Sequence, residues 1–269
     1  LVPITNNYTD ENPELEAEQN FQFAGANLMV EKITTGGSHT CAIPNNGSVS
    51  CWGNNANGQL GDGTYTNRNT PTVTNSLGIN RTAIEISAGH SHTCVILDNG
   101  LVSCWGDNSY GQLGDGTNST KNTPTLTSSL GLGRAAVSIT AGKFHTCAVL
   151  DNGSISCWGY NAAGQLGDGT STDRYTPISI YSTTVDNQRA RVIEAGDFHT
   201  CAIYGDELGN VESGTNWNTW MKCWGLNTDG QLGINSAVVN AYYPTEVQGS
   251  YFESAVLYGP VSISAGGSH

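Results

Sequence analysis

The sequence predicts an all-β fold made of one small sheet that is repeated along the chain. The first observation is a phrase that opens with Gly-x-x-His-Thr-Cys, closes with Gly-Gln-Leu-Gly and occurs four times. The second is its regular spacing, because the opening cysteines are Cys41, Cys94, Cys147 and Cys201. The third is that each unit contains short alternating segments between Gly- and Asn-rich turns, with no helical period. A period of 53 or 54 residues in such a chain is typical of a repeat array.

Each unit is predicted to contain four strands, and the second unit shows them in order. Residues 84–89 alternate and end in small residues, which indicates a short strand entering a tight turn. His92–Leu97 form the second strand, Asp98–Gly100 a turn, and Leu101–Gly106 the returning third strand. The Gly-Gln-Leu-Gly-Asp-Gly segment then interrupts regular structure, and a fourth short strand starts at Pro124. Such units predict a β-propeller, here about four blades plus the start of a fifth.

The paired cysteines are predicted to form one disulfide inside each hairpin. With a three-residue turn ending at Gly100, Leu97 faces Leu101 and Cys94 faces Cys104 at a non-hydrogen-bonded site. Cα atoms at such a site lie ~4.5 Å apart, a distance that a disulfide can bridge. The predicted bonds join Cys41 to Cys51, Cys94 to Cys104, Cys147 to Cys157 and, across an insertion, Cys201 to Cys223. An even count with no cysteine left over indicates an oxidising compartment, and therefore an extracellular or cell-surface location.

Alternation along the hairpin strands sorts the two faces of each blade. In the second unit Cys94, Ile96, Val102 and Cys104 share one side and form an apolar layer, whereas Trp105 lies on the other side. We therefore expect the repeated tryptophans to pack between neighbouring blades and not to bind a ligand. They are Trp52, Trp105, Trp158 and Trp224.

The phrase Trp-Gly-x-Asn-x-x-Gly-Gln-Leu-Gly, preceded by Ala-Gly-x-x-His-Thr, resembles the repeat of the regulator of chromosome condensation family. The matches are Trp52–Gly61, Trp105–Gly114, Trp158–Gly167 and Trp224–Gly233, with His39, His92, His145 and His199 in the other half-motif. The resemblance covers about residues 30–269 and implies a seven-bladed propeller whose faces are contact surfaces. The paired cysteines look like the secreted versions of the repeat. Nucleotide exchange on a small GTPase and ultraviolet perception are not carried over, because the disulfides contradict a cytosolic partner and the photoreceptor's clustered tryptophans are absent.

Two recurring polar patterns have a metal-binding and a structural interpretation. Each repeated histidine precedes a cysteine by two residues, so it could hold zinc together with both cysteines. Recurrence in every unit favours disulfides and a buried structural histidine, and we predict no metal. Asp62, Asp115 and Asp168 lie in Gly-Asp-Gly-Thr turns, where turn chemistry is favoured over calcium binding. No catalytic motif is present, so we predict no enzyme activity and no cofactor.

The fourth unit departs from the repeat by a long polar insertion with two extra tryptophans, and more aromatic residues follow it. Long insertions in a repeat array lie at one rim and are often binding elements. Exposed aromatic residues frequently anchor interfaces. We therefore predict a binding surface of Trp217, Trp220, Tyr251 and Phe252. The alternative, equally weighted, is that these side chains cover the blade edge.

Composition excludes several classes of partner. The chain has 23 acidic and 10 basic residues, a net charge of −13, which repels nucleic acid. No apolar run approaches the ~20 residues needed to cross a bilayer. Possible N-glycosylation sequons, which fit a secreted protein, are Asn7, Asn46, Asn80, Asn118 and Asn152.

The predicted organisation is a non-repeating acidic arm, residues 1–30, followed by a partial propeller, residues 31–269. Its units are about 31–82, 83–135, 136–190 and 191–260, and residues 261–269 match the start of the first unit. We expect further repeats to complete the ring; a second chain or an open head-to-tail array are the alternatives.

These features predict an extracellular protein-binding or structural scaffold, part of a cell-surface or appendage assembly with other proteins or further copies of itself. One alternative is a soluble secreted inhibitor or ligand-binding propeller. A less favoured third is a secreted hydrolase with its site in the central mouth.

Overall fold

The computed structural model describes residues 29–180, 189–205, 217–248, 252–254 and 263–267, and these form four antiparallel sheets. The described residues contain 17 strands and no helix. Blade 1 consists of β1 (Val30–Thr35), β2 (His39–Pro44), β3 (Ser50–Gly53) and β4 (Arg68–Val73). Blade 2 consists of β5 (Ala83–Ala88), β6 (His92–Leu97), β7 (Val102–Gly106) and β8 (Lys121–Leu126).

Blades 3 and 4 repeat this order, and blade 4 carries an extra strand. Blade 3 consists of β9 (Ala136–Ala141), β10 (His145–Leu150), β11 (Ile155–Gly159) and β12 (Arg174–Ile180). Blade 4 consists of β13 (Arg189–Ala195), β14 (His199–Gly205), β15 (Trp217–Leu226) and β16 (Asn240–Glu246), with β17 (Phe252–Ser254) paired to β15. The predicted all-β fold of four-stranded blades is confirmed.

The outer strand is longer than the sequence suggested, because β8 begins at Lys121 and not at Pro124. A proline fits inside this strand because the strand forms the outer edge of its blade, where a residue without an N–H costs no ladder bond. Each outer strand contains one such proline: Pro71, Pro124, Pro177 and Pro244.

The predicted hairpin geometry and its disulfides are confirmed. Cys94 pairs with Cys104 in register, and their Cα atoms are 4.1 Å apart. The Leu97 N–H donates to the Leu101 carbonyl at 2.8 Å, and Gly100 adopts a left-handed φ of 77° in the turn. The other bonds join Cys41 to Cys51, Cys147 to Cys157 and Cys201 to Cys223. Disulfides are common in proteins of oxidising compartments and rare in cytosolic proteins.

The apolar cores lie between blades, as the face assignment predicted. Between blades 2 and 3, the layer of Cys94, Ile96, Val102 and Cys104 meets Trp158 of the next blade. Trp105 packs in the same way against blade 1, and Trp224 against blade 3. Because each blade presents the same residue types on the same face, the blades pack against one another in the same way at each of these interfaces.

A hydrogen-bond relay crosses each blade interface beside the apolar core. The backbone carbonyl of Gln59 in blade 1 accepts from Thr93 Oγ1 and Trp105 Nε1 of blade 2, both at 2.9 Å. His39 Nε2 lies 2.8 Å from the same Thr93 hydroxyl. Equivalent relays run from His92 through Thr146 to Gln112, and from His145 through Thr200 to Gln165.

The first strands of the blades line the propeller axis. In blades 1 to 3, a side-chain hydroxyl of this strand accepts a hydrogen bond from a backbone N–H of the first strand in the next blade. Thr34 Oγ1 accepts from the Ala88 N–H at 3.1 Å, and Ser87 Oγ accepts from the Ala141 N–H at 2.9 Å. Thr140 Oγ1 accepts from the Ala195 N–H at 2.9 Å. These hydroxyls satisfy backbone donors at the inner strand edges, which are not paired within their own sheet.

Candidate functional site

The turn after each first strand and the loop after each third strand lie at the same end of the blades. The Tyr160 N–H donates to the Phe144 carbonyl at 2.9 Å, and the Leu226 N–H donates to the Phe198 carbonyl at 2.8 Å. A Cβ atom at Gly142 would clash with the His145 ring and with the Gly196 carbonyl of the next blade. Glycine is therefore required there, and the two residues that follow it are displayed outward. We call this end of the blades the turn end.

Four aromatic rings from three blades come together at the turn end. The ring centroids of Tyr110 and Tyr160 are 4.8 Å apart, and those of Tyr110 and Phe144 are 5.2 Å apart. Phe198 extends the group, with its centroid 6.2 Å from Phe144 and 6.1 Å from Tyr160. All four side chains are partly exposed. We call Tyr110, Phe144, Tyr160 and Phe198 the aromatic cluster.

One lysine lies on the aromatic cluster. Lys143 Nζ is 5.2 Å from the Phe198 ring centroid and 5.8 Å from that of Phe144. Asp197 Oδ2 is 3.7 Å from the same ammonium group, so the cation has both aromatic faces and a carboxylate beside it. His90 lies next to Phe144, with the ring centroids 6.2 Å apart. His90, Lys143 and Asp197 also line a cavity of about 210 Å³ at the mouth of the central channel.

Blade 4 places a carboxyl group in the channel behind this mouth. Glu194 occupies the position that is Thr34, Ser87 or Thr140 in the other blades. Burial, opposed by a hydrogen bond from Thr140 and assisted by the nearby charge of Glu85, raises the pKa of Glu194 to about 7. Glu85 itself is paired with Lys32 at 3.0 Å.

The repeated histidines are part of the scaffold and not of a binding site. Thr93 uses its one hydroxyl proton for the Gln59 carbonyl, so His39 must donate from Nε2 and its Nδ1 is unprotonated. Burial lowers the pKa of His39 to about 4 and those of His92 and His145 to about 3. With the cysteines in disulfides, no thiolate is available to bind zinc beside these rings. In the described ranges, no group of three His, Cys, Asp or Glu residues is placed to hold a metal.

The Gly-Asp-Gly-Thr turns are held by internal hydrogen bonds. Asp62 Oδ1 accepts from the backbone N–H and hydroxyl of Thr64, and Asp62 Oδ2 forms an ion pair with Arg68 at 2.7 Å. Asn55 ties the turn together by donating to Asp62 and Thr66. Partial burial raises the pKa of Asp62, but the bonds from Thr64 and Arg68 outweigh this and hold it below its usual value. The same pattern recurs at Asp115 and Asp168, which supports the turn interpretation.

The predicted binding residues of the fourth unit fall partly outside the described residues. Trp220 is only 8% exposed and packs with Tyr204 and Trp224 in the core between blades 3 and 4. For this residue the structure matches the edge-covering alternative. The backbone pairs Trp217 with Ser254 and Thr219 with Phe252, but the side chains of Trp217 and Phe252 are outside the described set, as is all of Tyr251. The binding role of these four residues stays a prediction.

The sequence analysis did not identify the aromatic cluster. The signal was present, because Phe144 and Phe198 stand in the variable positions of Gly-x-x-His, where the other units have Ser38 and Ser91. Tyr160 likewise follows Trp-Gly, where another unit has Asn54. Comparing the units for what differs at the displayed positions would have found the cluster.

Two surface predictions can be located in the structure. Asn46, Asn80, Asn118 and Asn152 are all exposed, and Asn7 lies outside the described residues. Their glycosylation stays a prediction. The part of the chain that the structure describes contains no helix with the length and apolarity needed to cross a bilayer.

Comparison with known proteins defines the class. The regulator of chromosome condensation (RCC1) repeat matches residues 46–96, 99–149, 152–203 and 223–269. A second description of the same repeat matches residues 30–59, 83–112 and 136–165. Because these matches cover most of the sequence, the chain belongs to the regulator of chromosome condensation repeat family.

Among individual proteins, the chain is similar to the ultraviolet-B receptor UVR8 of Arabidopsis thaliana. The two are 30% identical over 212 residues, which cover 78% of this chain and 44% of the receptor. The crystal structure of human WBSCR16 has the same fold, with a TM-score of 0.72 and 23% identity over 91% of this chain and 57% of that one. Yeast RCC1 (Prp20), in a crystal structure bound to Kap60, has a TM-score of 0.66 and is 21% identical. The match covers 90% of this chain and 52% of the yeast chain. This chain therefore spans about half the length of each of these proteins.

Proposed function

We propose that this chain is a protein-binding propeller of an extracellular or cell-surface assembly, and that the aromatic cluster is its binding site. The observation that carries the proposal is the grouping of four partly exposed rings from three blades at one end of the sheets. Exposed clusters of Tyr and Phe provide the buried anchors of many protein interfaces. We propose binding without catalysis.

The compartment is inferred from the four disulfides. Each bond closes a hairpin within one blade, so the bonds reinforce each blade separately, and such bonds persist in oxidising surroundings. A propeller of the same fold, Prp20, is known in a complex with a protein partner. That likeness supports a contact-surface role for this chain without indicating the partner.

We place the site on the aromatic cluster, whose four rings are partly exposed, whereas Trp220 of the fourth-unit insertion is buried. The cluster also lies beside the open channel mouth, where a partner segment has room to enter.

The test is selection of a peptide display library on the oxidised protein. Enriched clones are measured against a Phe144→Ala/Tyr160→Ala variant and against Leu132→Ala as a matched control. Leu132 is fully exposed and apolar, and it lies in the loop between β8 and β9, at the opposite end of the blades. The proposal expects the double variant to lose binding by about tenfold or more while the control keeps it. Equal binding by both variants would overturn the site.

A further inference from the structure

We propose that the aromatic cluster receives a segment of a partner protein that presents a lysine or arginine side chain beside apolar residues. The inference rests on the proposed function and names the chemistry of its partner. Three observations support it: the position of Lys143 on the aromatic cluster, the net negative charge of the chain and the angles between the rings.

The structure already holds one cation on this surface. Lys143 Nζ lies within 6 Å of the ring centroids of Phe144 and Phe198, at 5.8 and 5.2 Å. This is the range in which a ring quadrupole attracts an ammonium group. Asp197 supplies a carboxylate 3.7 Å from the same nitrogen. The cluster therefore has the geometry and the counter-ion that a cationic side chain requires.

Most of the basic side chains of this protein form ion pairs with its own carboxylates. Ten basic residues stand against 23 acidic ones, and seven of the ten form ion pairs among the described residues. Near the cluster, Asp107 is half-buried and accepts from Ser109 and Gln112, which carry no charge to balance it. With a net charge of −13, the surface field favours the approach of a basic partner segment.

The ring geometry and the net charge together suit a protein segment that carries a cation. The ring planes within the cluster are inclined to one another by 51° to 79°. Rings at such angles offer both edges and faces to side chains that enter between them. Nucleic acids and anionic lipids are disfavoured by the net negative charge.

The first test uses matched synthetic peptides. Peptides that the library selection enriches and that need Phe144 and Tyr160 are made in two forms, one with lysine and one with acetyl-lysine at the same positions. We expect acetylation to weaken binding by about tenfold, and high salt to weaken the unmodified form more than the acetylated one. Cluster-dependent peptides without Lys or Arg, or equal affinity of the two forms, would overturn the partner class and leave the proposed function standing. Absence of any cluster-dependent peptide would overturn both.

The second test uses Lys143→Met, which keeps the apolar stem and removes the charge. If Lys143 occupies the place of the incoming cation, the variant binds the lysine peptide several-fold more tightly. Asp197→Asn, which removes the counter-ion, is expected to bind it more weakly. Unchanged or weaker binding of the lysine peptide by Lys143→Met would contradict the proposal. Unfolding midpoints of both variants confirm that each is folded.

Discussion

The interfaces between blades and the aromatic cluster are built from the same repeat but from different positions in it. The interfaces use residues that recur in every unit, such as Trp158 and the Cys94–Cys104 pair, and these are fully buried. The cluster uses positions that change, since Lys143 and Phe144 stand where the first unit has Gly37 and Ser38. The comparison indicates that recurring positions carry stability and changing positions carry surface chemistry.

The largest effect is expected for Trp158→Ala. The side chain is fully buried between blades 2 and 3, and its Nε1 donates to the Gln112 carbonyl at 2.9 Å. Its loss leaves a large cavity and removes one of the two hydrogen bonds that the Gln112 carbonyl accepts, so the free energy of unfolding should fall by about 3–5 kcal/mol. Urea denaturation measures it. Trp52→Ala is the matched control and should cost clearly less, because Trp52 is only half-buried. Equal losses would contradict the assignment of stability to the interfaces.

Removal of one hairpin disulfide is expected to have the next largest effect. Replacing Cys147 and Cys157 together by serine opens a loop with a sequence separation of 10, and the free energy of unfolding should fall by about 2–3 kcal/mol. Thermal unfolding of the oxidised protein measures the change. Since the bond lies within one blade, binding by the aromatic cluster should survive in the folded fraction. Loss of binding without unfolding would contradict the separation of the stabilising residues from the binding residues.

Acid should destabilise the scaffold through its buried histidines. Burial, and then nearby His92 and His199, lower the His145 pKa to about 3 from an ordinary value of 6.5. The unfolded chain therefore binds the proton first, so stability is complete above pH 6.5 and falls as the pH drops toward 3. Each such histidine contributes up to about 1.4 kcal/mol per pH unit.

Glu194 acts in the opposite direction. The pKa of Glu194 is raised to about 7 in the folded chain, from an ordinary value of 4.5. The folded chain therefore holds this proton more tightly, so the stability that Glu194 contributes is complete below pH 4.5 and is lost as the pH rises toward 7. One carboxyl group opposes three histidines, and the net stability should still fall in acid. Urea midpoints near pH 7 and near pH 5 measure this. His145→Gln should flatten the dependence, and an unchanged slope would show that His145 is not the buried neutral group described here.

The smallest effect on stability is expected for Tyr160→Ala. The ring is partly exposed and packs mainly against Tyr110, Phe144 and Phe198 at the surface. The free energy of unfolding should change by less than about 1 kcal/mol, while binding at the cluster is lost. Differential scanning calorimetry measures the first quantity. A loss as large as that for Trp158→Ala would mean that the cluster is core and not surface.

Much of the scaffold could be predicted from the sequence because it depends on local rules applied repeatedly. The turn count that ends at Gly100 was enough to pair Cys94 with Cys104, and alternation was enough to place Trp105 between blades. The relay through Thr93 to the Gln59 carbonyl could not be predicted, since it joins residues of two blades and depends on how the blades sit together.

The site was harder to predict for the same reason. Tyr110 and Tyr160 belong to loops of different units and meet only because those loops stack at one end of neighbouring blades. For the insertion, its length gave no indication of which residues would extend the hairpin. The structure pairs Tyr204 with Trp220, which continues β14 and β15 and buries the tryptophan.

The most direct test of the account is a hydrogen-exchange footprint of the oxidised protein with a cluster-dependent lysine peptide bound. We expect slower exchange at the Lys143–Phe144 and Asp197–Phe198 turns, and unchanged exchange at the hairpin turn of Asp151–Gly153 at the other end of blade 3. Slower exchange confined to that hairpin turn, or to β15 and the insertion before it, would contradict the central claim that the variable turn positions form the binding face.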